Sequence, residues 1–144
     1  FNNHTLYSRT VEDKWTVFPS CFQKERTEYL RAHSTRTPVY IHGDLCADNM
    51  MLDANHNLFL IDFADAMLAP IELEFPALIC DGFGFDPDYL EGFLGKYDKS
   101  SVTEDLLYGL LAHDYGSTII RDTIGVPSEI LSLDTLRYKL LSKL

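Results

Sequence analysis

Three short apolar runs in the middle of the chain, each followed by a polar segment, constrain the fold more than any other feature. Val39-Tyr40-Ile41 is β-branched and aromatic and reads as a buried strand. His42-Gly43-Asp44-Leu45-Cys46-Ala47-Asp48-Asn49 follows as a polar loop. Met50-Met51-Leu52 is the second run, and Asp53 to Asn57 supplies turn residues. Leu58-Phe59-Leu60-Ile61 is the third run and ends at Asp62. The centre therefore reads strand, polar loop, hairpin.

The flanks read differently. Residues 1 to 20 have no clean period and are expected to be a loop or irregular lead-in. Residues 22 to 33 place Phe22, Arg26, Tyr29, Leu30 and His33 on one side, which predicts a helix. Pro38 ends that pattern, and the residue before it is expected to be extended. Asp86-Pro87 before Tyr89, Leu90, Phe93 and Leu94 predicts a short helix. Ser101-Val102-Thr103-Glu104 is a capping-box sequence ahead of Leu106, Leu107, Leu110, Leu111 and Tyr115. Gly125 and Pro127 interrupt, and Leu133, Leu136, Leu140 and Leu141 mark a last helix. The expected fold class is α+β, mostly helical, with a small central β-hairpin carrying the polar loop. No repeat or internal linker divides the chain, so residues 1-144 are read as a single domain.

Charge and cysteine content narrow the function classes. The formal net charge is −10 over 144 residues, which disfavours nucleic acid as a partner, because phosphate binding needs clustered Lys and Arg. There is no signal-peptide pattern and no apolar run long enough to span a membrane. Cys21, Cys46 and Cys80 are widely spaced and odd in number, with no CxxC pair. That argues against a disulfide framework or a zinc site and for a reducing, cytoplasmic compartment.

Three polar residues gather at the ends of the central strands: Asp44, Asn49 and Asp62. Phosphoryl transfer asks for such a set. One carboxylate orients an attacking hydroxyl and accepts its proton. An amide oxygen and a second carboxylate suit Mg²⁺, which prefers hard oxygen ligands and takes only one or two carboxylates from the protein. A chance match to His-x-Asp-x-x-x-x-Asn with a later Asp arises in roughly one chain in a thousand, at average residue usage.

His42-Gly43-Asp44-Leu45 through Asn49, followed by Leu60-Ile61-Asp62-Phe63-Ala64-Asp65-Ala66, resembles the aminoglycoside phosphotransferase and choline kinase superfamily, with its protein-kinase-like fold. The resemblance implies that Asp44 is the catalytic base, that Asn49 and Asp62 hold Mg²⁺ with ATP, and that His42 braces the loop without being catalytic. It implies a supporting role for Asp65. It also implies a nucleotide and a small hydroxyl-bearing substrate as partners. The motif core covers residues 39 to 66. The remainder, 67 to 144, is similar to the family's C-terminal lobe in general character only.

The chain also departs from that family. An N-terminal lobe there covers the nucleotide and supplies a strand lysine paired with a helix glutamate. Only 41 residues precede His42, too few for such a lobe. The upstream lysines are Lys14, in no convincing strand, and Lys24, in the predicted helix. Gly82-Phe83-Gly84 lies after the catalytic loop, lacks a third glycine and reads as a turn. The expectation is a C-terminal catalytic lobe, a fragment or truncated kinase inactive alone, that needs an N-terminal lobe or partner domain. The alternative is a kinase-like interaction or regulatory module without catalysis.

Several residues have plainer readings. His4, His33 and His56 read as exposed or loop residues, His113 as surface or core packing, and Cys46 as a space-filling side chain. The stretch Asp81, Phe83, Phe85, Asp86, Asp88, Tyr89 and Glu91 could hold a cationic amine, but reads first as a solvated helix start with core phenylalanines. His42-x-Asp44 with His113 could imitate the facial triad of an Fe(II) oxygenase. That site needs a barrel of strands, which the helical second half disfavours.

Overall fold

The computed structural model describes residues 13–144. The part of the irregular lead-in expected over residues 1 to 12, His4 included, lies outside the described residues. Residues 13–15 form a helical turn, and residues 13–19 deliver Trp15 and Phe18 to the core. Helix α1 (Ser20–Ala32) adds Phe22, which stacks on Phe18 at 4.9 Å. Arg26, buried on the same helix face, lies over the Trp15 ring at 4.2 Å. Its Nε donates to the Leu111 carbonyl at 3.0 Å.

The central runs form β1 (Val39–Ile41), a 3₁₀ turn (Ala47–Asn49), β2 (Met50–Leu52) and β3 (Leu58–Leu60). β2 and β3 make the predicted hairpin, with Met50 opposite Leu60 and Leu52 opposite Leu58. Its turn is fixed by Asp53, whose Oδ1 accepts the N–H groups of Asn55 and Asn57 at 2.8 Å each. β1 does not join this hairpin. It pairs antiparallel with β4 (Met67–Ala69), Val39 opposite Ala69 and Ile41 opposite Met67, in a second two-stranded sheet.

β1 is not the buried strand expected from its composition. Ile41 is buried, but Val39 is 42% and Tyr40 74% exposed. A strand in a two-stranded sheet has one neighbour and at most one covered face; Val39 and Ile41 share a face, and only its Ile41 end meets the core. The β2–β3 hairpin is likewise open, with Met51, Leu52, Leu58 and Phe59 exposed.

After β4 the chain is helical. A 3₁₀ turn (Ile71–Leu73) leads through Glu74 into a π-helix (Pro76–Gly82). The 83–85 stretch is a bend and turn, as the Gly82-Phe83-Gly84 reading expects. Helix α2 (Pro87–Leu94) is capped by Asp86, which accepts the Asp88 N–H at 2.9 Å. α3 (Lys99–Ala112) is the central helix, with Leu106, Leu107, Leu110 and Leu111 fully buried. A helix apolar on nearly all sides belongs in the middle of a core.

The capping box expected at Ser101 is displaced. Asp98 is the N-cap, and its Oδ2 accepts the Ser101 N–H at 2.8 Å. Asp is a strong N-cap residue, so the helix starts one turn earlier. Helix α4 (Gly116–Ile119) runs into a second π-helix (Ile120–Ile124), and α5 (Leu133–Lys143) closes the body against α3. The fold is α+β and mostly helical, with two small sheets at one side. Among the described residues no helix is long and apolar enough to cross a membrane.

Candidate active site

The loop after β1 is held residue by residue. His42 is buried; its Nε2–H donates to the Ile61 carbonyl at 2.8 Å, and its Nδ1 accepts the Asp44 N–H at 3.3 Å. Its ring packs against Phe63 at 4.5 Å. Both ring nitrogens are thus committed, and neither has a lone pair left to ligate a metal. This removes His42 from a facial triad.

Gly43 adopts φ +86°, and a Cβ there would stand 2.3 Å from the Asp65 carbonyl oxygen. Only glycine meets both demands. The Gly43 N–H donates to Glu74 Oε1 at 3.0 Å.

Asp44 is exposed, and its Oδ2 accepts from Asn49 Nδ2 at 3.0 Å. The same amide nitrogen donates to the Asp44 carbonyl at 2.9 Å. Asn49 is buried, and with its nitrogen engaged its amide oxygen remains as an acceptor. The Asn49 carbonyl accepts the Ile61 N–H at 3.1 Å, which ties the end of the hairpin to the loop. Asp62 comes next, exposed and at φ +59°. A non-glycine residue in the left-handed region costs about 1–3 kcal/mol and persists where its surroundings over-determine it. Asp44 and Asn49 are thus joined by side-chain hydrogen bonds, and the Ile61–Asn49 bond brings the strand end before Asp62 to the same loop; an amide oxygen and a carboxylate are donors suited to a hard cation. The Asp65 side chain is exposed; it is the Asp65 backbone that presses on Gly43.

One residue near the loop, Glu74, was not singled out by sequence reasoning, and no spacing relative to Asp44 marks it. His113, read from the sequence as surface or core packing, lies at the C-terminal end of α3, where its Nδ1 accepts the Tyr115 N–H at 3.1 Å. Burial pushes its imidazole below the ordinary value and Lys14 adds to this, while Asp114 and Asp44 oppose the shift. The end of α3 thus lies within electrostatic reach of Asp44.

The profile of the phosphotransferase enzyme family matches residues 9–110. The chain belongs to this family. The match takes in all of the 39 to 66 segment and ends within α3, leaving residues 111–144 of this phosphotransferase-family chain outside it. No curated protein and no solved structure matches the chain.

Proposed function

We propose that the chain is the catalytic lobe of an ATP-dependent phosphotransferase acting on a hydroxyl of a small molecule. The observation that supports this reading is the bonded chain Asp44–Asn49–Ile61, which ties one carboxylate and an amide to the strand end that precedes Asp62. Asp44 Oδ2 is held by Asn49, which leaves its other oxygen to accept from the acceptor hydroxyl. As the hydroxyl oxygen bonds to the γ-phosphorus and the bond from that phosphorus to the ADP oxygen breaks, the hydroxyl proton passes to Asp44. Positioning supplies much of the rate in such a transfer, and the fixed loop provides it.

Asn49 Oδ1 and the Asp62 carboxylate would hold Mg²⁺. Among the described residues no group of three or more His, Cys, Asp and Glu gathers into a metal cage. A two-ligand site is what Mg²⁺ uses when phosphates and water complete its shell. Mg²⁺ supplies charge neutralisation on the phosphates when bound. His42 and Asp65 serve the loop by support.

The nucleotide clamp is assigned to an N-terminal lobe or partner domain. Lys14 Nζ donates to the Asp114 carbonyl at 3.2 Å and lies over the Tyr115 ring at 4.3 Å, and Lys24 pairs with Glu28 at 3.8 Å. The exposed apolar strands beside the loop suit contact with such a lobe. The same surface favours the alternative, a kinase-like interaction module without turnover. On the kinase reading the enzyme works in the cytoplasm.

The test uses the full-length protein. Asp44→Ala is expected to lower kcat by about 10²-fold or more, with nucleotide affinity kept. Asp62→Ala is expected to abolish Mg²⁺-dependent ATP binding in calorimetry. Near-normal turnover in Asp44→Ala would sink the assignment of the base. Absence of MgATP binding by the unaltered protein would leave the interaction module standing.

A further inference from the structure

His113 closes α3, and the family match stops before it, at residue 110. Its main-chain N–H donates to the Gly109 carbonyl at 2.9 Å, so it stands one helical turn beyond Gly109 on the same side of α3. That side packs on the segment that holds the loop. A Cβ at Gly109 would collide with the Glu72 carbonyl oxygen and lie 3.1 Å from Pro76 Cδ. Glu74, between those two residues, accepts the Gly43 N–H beside Asp44. The last turn of α3 therefore lies next to the seat of the loop, and the Asp44 charge acts on the imidazole.

The ring is locked in one form. Its Nδ1 accepts the Tyr115 N–H at 3.1 Å, which puts the proton of the neutral ring on Nε2. The His113 carbonyl accepts the Gly116 N–H at 3.0 Å and closes the turn. Lys14 pins the same turn, with its Nζ donating to the Asp114 carbonyl and lying over the Tyr115 ring. Burial keeps the imidazole mostly neutral at pH 7; Lys14 adds to this, and Asp114 and Asp44 oppose it. The Nε2–H is thus a fixed donor, and no group among the described residues accepts from it. A held donor that the fold does not use is available to a ligand.

We infer that His113 binds the acceptor molecule: its Nε2–H donates to an uncharged oxygen next to the hydroxyl that donates to Asp44. The inference rests on the reading of Asp44 as the base and adds the class of acceptor. A hydroxyl, ring or carbonyl oxygen can accept from Nε2. An ammonium has no lone pair to offer and is repelled by Lys14, and a carboxylate is repelled by Asp44 and Asp114. The class is a sugar or polyol with a neighbouring oxygen, and simple amino alcohols are disfavoured.

The experiment uses the full-length protein with MgATP, and ribose, glucose, glycerol, ethanolamine and choline as probes. At least one polyhydroxy probe is expected to show kcat/KM about tenfold above either amino alcohol. Asparagine at position 113 places an oxygen where Nδ1 stands and keeps the Tyr115 bond, but has no donor at the Nε2 position. Glutamine brings an amide N–H to that position. His113→Asn is expected to raise KM for the preferred probe by about fivefold to tenfold, with kcat and KM for ATP unchanged. His113→Gln is expected to recover most of the loss. With the deoxy analogue lacking the neighbouring oxygen, His113→Asn should change nothing.

Nitrogen NMR of the ring follows binding without turnover. The polyhydroxy probes, added with MgADP, should shift Nε2 and leave Nδ1 as an acceptor. An amino alcohol preferred over every polyhydroxy probe would overturn the inference. So would an unchanged acceptor KM in His113→Asn, or neither turnover nor ring shift with any polyhydroxy probe. Unfolding of both variants would also overturn it, by assigning the ring to packing. A ring shift without phosphate transfer would keep His113 as a ligand residue and end the kinase reading. Turnover kept in Asp44→Ala, with the His113 effect on KM intact, would remove the base assignment alone.

Discussion

Burial decides what each of the three thiols can do. Cys21 is exposed, with its Sγ 3.1 Å from the Leu131 carbonyl, and Cys46 is half-buried in the loop. Cys80 is buried within the first π-helix, and that burial pushes its thiol from 9.0 up to about 12. A raised value means that the native state keeps a proton the unfolded chain has already released. The stability this represents is complete below pH 9 and is lost as pH rises from 9 towards 12. Urea midpoints should therefore fall over that window, by no more than about 1.4 kcal/mol per pH unit from this group, and Cys80→Ala should remove that part of the slope. At pH 8 a thiol reagent should label Cys21 in the folded protein and reach Cys80 only on unfolding. Labelling of native Cys80 at the rate of Cys21 would contradict the burial argument.

At the scale of elements, local chemistry was legible and long-range pairing was not. The turn residues of the β2–β3 hairpin, the Asp86-Pro87 helix start and the apolar rows of α3 and α5 all act over a few residues, and each appears where its residues indicate, except that α3 ends at Ala112 and leaves Tyr115 exposed beyond it. β4 was invisible because Met67-Leu68-Ala69 is too short to show alternation, and its partner β1 lies 28 residues earlier. The π-helices were equally hidden, since one extra residue per turn leaves no periodic mark. The start of α3 went to the wrong cap because Asp98 and Ser101 compete, and the carboxylate wins. Asp98→Ala should accordingly cost about 1 kcal/mol and Ser101→Ala clearly less, read as shifts in thermal midpoint. Equal effects would return the cap to Ser101.

At the scale of the molecule, a helical body centred on α3 carries two small sheets, and the 42–49 loop runs from one sheet to the other. The segment from His42 to Asp62 was readable because its members are close in sequence and differ in type. Glu74 was not, because its link to the loop is a single contact across 31 residues, made only once the chain has folded. The aromatic stretch divides as its plainer reading expects in part: Phe85 is in the core, whereas Phe83 stacks on the exposed Tyr89 at 5.6 Å.

The open hairpin has a colloidal consequence. Leu52, Leu58 and Leu60 share one face of a ribbon that meets water, and Met51 and Phe59 the other, so two copies that touch there gain by sticking. What keeps them apart is like charge, −10 per copy. That barrier vanishes near the isoelectric point of about 4.7, and about 1 M salt shrinks its range to roughly 3 Å. Light scattering from the isolated chain should climb under either condition, and Phe59→Lys should suppress the rise. If scattering stays flat in both, the ribbon is not the sticky surface. Handling this chain alone is thus a matter of keeping it charged and dilute until something covers the ribbon.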